Sequence, residues 1–194
     1  AQRLFLAAGA IPTTGILLRS LSAYDRGVRM KDSQYFLLPV LLTRHIGKVH
    51  QEQLHSLSQL FLEVVDPRIS PHTVHLQVYS FNDLIGKAIR KSMGPLAGPL
   101  GFLACELENR LLLIQGFIHS AHSSEIAVSL HRDPGQSCDQ LHLKGVKNPD
   151  AKKIVRQIVR KLVKHSFKLG AVPLPMLLQI AEPGRSFHAG GTFP

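Results

Sequence analysis

The residues with the clearest chemical capacity lie near the two ends of the chain. Towards the C-terminus, the run Gly184-Arg185-Ser186-Phe187-His188-Ala189-Gly190-Gly191-Thr192 sets one histidine closely before two glycines and a threonine. An imidazole titrates near neutral pH and can take a proton from a substrate hydroxyl as a general base. Glycine carries no Cβ, so a backbone of Gly190 and Gly191 can come close to a flat ligand or a phosphate. The same residue types also make an ordinary surface turn, and by type alone both readings stand. Near the N-terminus, Leu6-Ala7-Ala8-Gly9-Ala10 puts small residues after an apolar run. In open α/β sheets the end of a strand is where cofactors bind. Close packing of a strand on a helix uses the same small residues.

Other chemistries find less support. His119 and His122 are close in sequence, and His131 and His142 fall in neighbouring strand-like runs. No third ligand stands at a recognisable spacing, and Cys105 and Cys138 form no Cys-x-x-Cys pair, so no metal site is expected. These histidines read as the polar face of a sheet. No Gly-x-Ser-x-Gly occurs, which argues against a serine hydrolase. The segment 94–102 is apolar and rich in glycine and proline. It is expected to be a core-packing loop, with a lid or a membrane contact as other uses.

The elements that must position these residues follow from periodicity. Residues 3–8 read as a short buried strand, followed by a turn at Gly9 and a helix over 15–21. Residues 22–33 read as a polar connection. Strands of an antiparallel sheet are expected at 35–43, 57–65, 73–80, 110–120, 124–131 and 140–144. Val74, Leu76 and Val78 alternate with polar neighbours, as do Ile126, Val128 and Leu130, so one face should be buried and the other wet. A helix is expected over 82–92 and one more strand over 176–181. Apolar residues from Ile154 to Phe167 recur at helical spacing, with Asn148 as cap, Pro149 at the first position and Gly170 as terminator. The fold class is therefore α+β, with a largely antiparallel sheet and helices on one face.

The chain has 194 residues, 44% hydrophobic and 19% charged, which excludes a disordered chain, a collagen-like repeat and a coiled coil. Its net charge is +10. Residues 141–170 hold nine basic residues against the single acid Asp150, so most of that excess is the outward face of one helix. No aromatic residues interleave the basics, and no nucleic acid is expected as partner. No apolar run reaches the roughly 18 residues of a membrane span, so no stable membrane insertion is expected. No signal peptide is visible, and a cytoplasmic setting is expected. The chain opens without Met inside an apolar run, which reads as a piece of a longer protein.

The two ends together carry a resemblance. Arg3 to Ser20, with Ala8-Gly9-Ala10, Thr13-Thr14 and Leu17-Leu18, resembles the second signature of the glucose–methanol–choline flavin oxidoreductases. Phe187-His188-Ala189-Gly190-Gly191-Thr192 is similar to that family's C-terminal region, in the form of its cholesterol-oxidase branch. The resemblance implies FAD as cofactor and a small-molecule alcohol as substrate. It implies His188 as the active-site base, with Gly190, Gly191 and Thr192 near the flavin ring and Ala8, Gly9 and Ala10 near the ADP part. It further implies that residues 1–24 and 183–194 are pieces of an α/β FAD-binding domain, with 25–182 as substrate-binding domain. The family's Gly-x-Gly-x-x-Gly fingerprint is missing, and Leu21-Ser22-Ala23 replaces its Ser-Gly-Ile-Gly tail. Its second active-site residue would lie beyond the chain, so the isolated segment is expected to be inactive. A reading from another class is a non-catalytic module whose basic helix 148–169 holds an anionic partner.

Overall fold

A computed structural model describes residues 3, 5–45, 58, 60–80, 87, 91, 94–99, 101–133, 135, 138–186 and 188–190. In chain order the elements are α1 (Ala10–Ser20), β1 (Gly27–Asp32), β2 (Tyr35–Leu42), β3 (Leu60–Val64), β4 (Val74–Tyr79), α2 (Gly101–Glu108), β5 (Leu111–Phe117), β6 (Glu125–His131) and β7 (Gln140–Val146). There follow α3 (Pro149–Lys164), α4 (Ser166–Leu169), β8 (Ala171–Pro173), β9 (Gln179–Ile180) and β10 (Ala189–Gly190). Every named strand pair is antiparallel, so the fold is α+β with mostly antiparallel sheet. Two compact units divide the chain. The first takes residues 1–34, 119–151 and 181–194, and the second takes 35–118 and 152–180.

The first unit holds a four-stranded sheet in the order β10-β1-β6-β7. Its core is Leu18 from α1, Met30 from β1 and the alternating Ile126, Val128 and Leu130 of β6. Residues 22–33 contain β1 rather than a plain connection. Met30 and Asp32 point inward, while Arg29 and Lys31 point outward and pair with Glu125 of β6. Lys31 and then Arg29 hold the Glu125 carboxyl below its usual range. The outward charges hide the strand from a composition-based reading. The expected strand at 3–8 does not form, since residues 3 and 5–8 carry no regular structure and are exposed. A short apolar run becomes a strand only beside a partner, and among the described residues none pairs with it. The helix expected at 15–21 starts earlier, at Ala10.

The second unit holds a sheet in the order β3-β4-β5-β2-β8, with β9 also pairing β2. Val74, Leu76 and Val78 are buried as their alternation predicts, alongside Phe36, Leu38 and Val40 of β2. Gly116 of β5 stands in register between Phe36 and Leu76. A Cβ at Gly116 would lie 2.2 Å from Phe36 Cζ and 2.8 Å from Leu76 Cδ2, so the ring occupies the space that glycine leaves open.

The expected basic helix forms in two pieces, α3 and α4, with Gly170 left-handed at φ 63° after the second. Asn148 Oδ1 accepts the Asp150 N–H at 3.0 Å, an N-terminal cap. Ile154, Val155, Ile158, Val159 and Leu162 are buried. The expected loop 94–102 is instead a 3-10 turn, Gly94–Ala97, and the start of α2. Past Pro99 the run Gly101–Glu108 has no further proline and is rich in helix formers. The strand expected at 176–181 is a 3-10 turn, Pro175–Leu177, with its proline at the first position that a helical turn tolerates, followed by the two-residue β9. The helix expected at 82–92 lies outside the described residues except for Lys87 and Lys91, both helical.

Lys161 of α3 reaches Asp66 at 2.6 Å, and Arg68 reaches it at 3.0 Å. The Arg68 and then the Lys161 hydrogen bonds hold the Asp66 carboxyl well below the carboxylate range. A depressed carboxyl stabilises the fold above its unfolded value, and that contribution fades as pH falls through its folded value. Asp66→Asn should therefore lower the thermal midpoint at pH 7, with the deficit narrowing at pH values below about 4. Thermal melts of both proteins across that range check this. An equal deficit at every pH would contradict it.

Candidate functional site

The site around His188 is built at the edge strand of the first unit's sheet, β10. β10 pairs with β1 through Lys31↔Gly190 and Asp32↔Ala189. His188 immediately precedes β10, and its carbonyl accepts the Ser33 N–H at 3.0 Å. Gly184 turns at φ 78°, in the left-handed region that favours glycine. Its N–H donates to Asp32 Oδ2 at 2.7 Å. The Ser186 hydroxyl lies between Asp32 Oδ1 and the His188 carbonyl, which is 2.7 Å away, and its one proton serves one of them at a time. Asp32 is fully buried. A single carboxylate thus ties down the segment that leads into His188. The backbone of His188 is held, while its imidazole is exposed and makes no hydrogen bond among the described residues.

The N-terminal group is arranged around the start of α1. Gly9 precedes the helix at φ 94°, with no side-chain cap, and its carbonyl accepts the Thr13 N–H at 2.9 Å. Ala8 and Gly9 are exposed, and among the described residues a Cβ at Gly9 would meet only Pro12 Cδ, at 3.8 Å. Among the same residues a Cβ at Gly190 would meet nothing within 4 Å. Ala10 and Ala189 both pack against the cluster of Leu18, Met30, Ile126, Val128 and Leu130. Two segments from opposite ends of the sequence therefore share one core. Gly191 and Thr192 lie outside the described residues.

Asp32 and Ser186 were not among the expected site residues. One signal for Asp32 is present in the sequence: it follows Val28 and Met30 in the inward series of β1, so a carboxylate was bound to enter the core there. The histidine pair takes another role. His131 and His142 lie on neighbouring strands with rings 4.3 Å apart. His131 Nδ1 lies 2.6 Å from Asp25, and its Nε2 lies 2.8 Å from the Ser129 hydroxyl, so both nitrogens are engaged. His119 Nδ1 accepts the Ala121 N–H at 3.1 Å. Among the described residues no group of three or more His, Cys, Asp or Glu side chains is placed to hold a metal ion. No described helix is long and apolar enough to cross a membrane. Comparison of the chain with protein-family models, with curated proteins and with solved structures finds no match.

Proposed function

We propose that this chain is part of an FAD-dependent oxidoreductase that oxidises an alcohol CH–OH group. The observation that carries the reading is the shared core beneath Ala10 and Ala189. It brings the Ala8-Gly9-Ala10 segment and the His188–Gly190 segment onto one sheet unit. The residues fit the cofactor. Open space over Gly190 suits the approach of a flat ring system, and the exposed backbone at Ala8 and Gly9, ahead of an 11-residue helix, suits a phosphate. Gly191 and Thr192, which follow Gly190 in sequence, belong to the same cofactor-side reading.

FAD, when bound, supplies the hydride acceptor for the carbinol carbon. The chain's own part is to hold, orient and deprotonate. The His188 imidazole is the group that takes the hydroxyl proton, from a backbone fixed by Ser33, Ser186 and, through Ser186, Asp32. The reading includes a cytoplasmic setting, in keeping with a chain that carries only two cysteines.

The test uses the full-length protein that contains this chain. It should purify with flavin absorbance and about one FAD per polypeptide. Gly190→Val should retain the fold, because the added side chain starts in open space, yet lose most of the flavin. A colourless protein that takes up no FAD would sink the proposal.

A further inference from the structure

The second unit carries a surface that joins unpaired cations to protruding apolar side chains. Arg156 and Arg160, one turn apart on α3, line a shallow groove of about 400 Å³ with Val159, Val163, Pro175 and Leu178. Both arginines are exposed and enter no ion pair or hydrogen bond among the described residues, and the same holds for Lys164 and Lys168. Lys161, by contrast, is committed to Asp66. Phe167 is 95% exposed and Met176 is 79% exposed. Met176 belongs to the 3-10 turn whose Pro175 lines the groove, and Phe167 follows Val163 by four residues.

The combination narrows the partner. The inward face of α3, with Ile158 and Leu162, is already buried, so the helix does not itself insert into anything. What it offers is a row of free cations beside apolar tips. A nucleic acid would neutralise the cations and leave Phe167 and Met176 in water. An anionic bilayer satisfies both, since headgroup phosphates meet the guanidinium and ammonium groups while the apolar tips enter the acyl boundary. We propose that this face docks the second unit reversibly onto a membrane surface rich in anionic lipid.

The full-length protein that contains this chain is sedimented with vesicles of phosphatidylcholine, with and without about one-third phosphatidylglycerol. Binding is expected to the anionic vesicles only, fading as salt rises. Arg156→Gln with Arg160→Gln should weaken it roughly thirtyfold, because each cation near such a surface is worth about fivefold. Phe167→Ser with Met176→Ser alters no charge and no buried contact, and should weaken it roughly tenfold with the circular dichroism spectrum unchanged. No binding to the anionic vesicles overturns the proposal. So does binding that the serine variant leaves intact, or tighter binding to a DNA duplex than to the vesicles.

Discussion

Replacing His188 by alanine in the flavin-loaded full-length protein should slow substrate reduction of the flavin by roughly 10²- to 10⁴-fold, the range for loss of a positioned general base. Flavin content and thermal stability should change little. The reason is structural: among the described residues, everything that holds this residue acts on its backbone. Ser33 and Ser186 engage the His188 carbonyl, Asp32 engages Gly184 and Ser186, and the imidazole itself stands exposed. His188→Asn should be equally slow, since an amide cannot take the proton. Stopped-flow reduction of the bound flavin by substrate measures all of this. An unchanged rate in the alanine variant removes His188 from the chemistry.

Gly116→Val should be among the most damaging single substitutions in the second unit. Glycine within a strand usually weakens it, but here the missing side chain is filled by a neighbour. The Phe36 ring lies where a Cβ would be, at 2.2 Å, and Phe36 and Leu76 are both fully buried. Neither has room to retreat in a close-packed interior. Overpacking ordinarily costs about 1–3 kcal/mol, and this approach belongs at the upper end. For a chain of this size, about 3 kcal/mol lowers the midpoint by roughly 6–12 °C. Pairing Gly116→Ala with Phe36→Leu should recover part of the loss, a coupling expected only of residues in contact. Additive costs in that double variant would show that the ring is not the obstacle.

The sequence made legible what depends on neighbours close in the chain. The alternation of Val74, Leu76 and Val78, and of Ile126, Val128 and Leu130, marks strands with one buried face, and those side chains are buried. The cap at Asn148 and the left-handed Gly170 bracket the basic helices as their residue types imply. What escaped depends on partners far away. β1 is charged on its outer face and is a strand because β6 and β10 flank it. The apolar run at 3–8 has the composition of a strand but no described partner. At the candidate site, His188 and the glycines are visible as types. Asp32 becomes visible as their anchor only once its bond to Gly184, 152 residues away, is seen.

The interleaving of the two units sets an order of assembly. Everything the second unit needs has been made once Ile180 emerges during synthesis, whereas the first draws on three separated stretches, the last of them 181–194. Until that stretch arrives, β1 presents an open edge, and the Asp32 carboxylate lacks the Gly184 and Ser186 donors that accompany its burial. Closing so long a loop is slow compared with local pairing. Domains complete as units while the chain grows. Within these residues the backbone setting of His188 is therefore completed after the second unit has all that it needs.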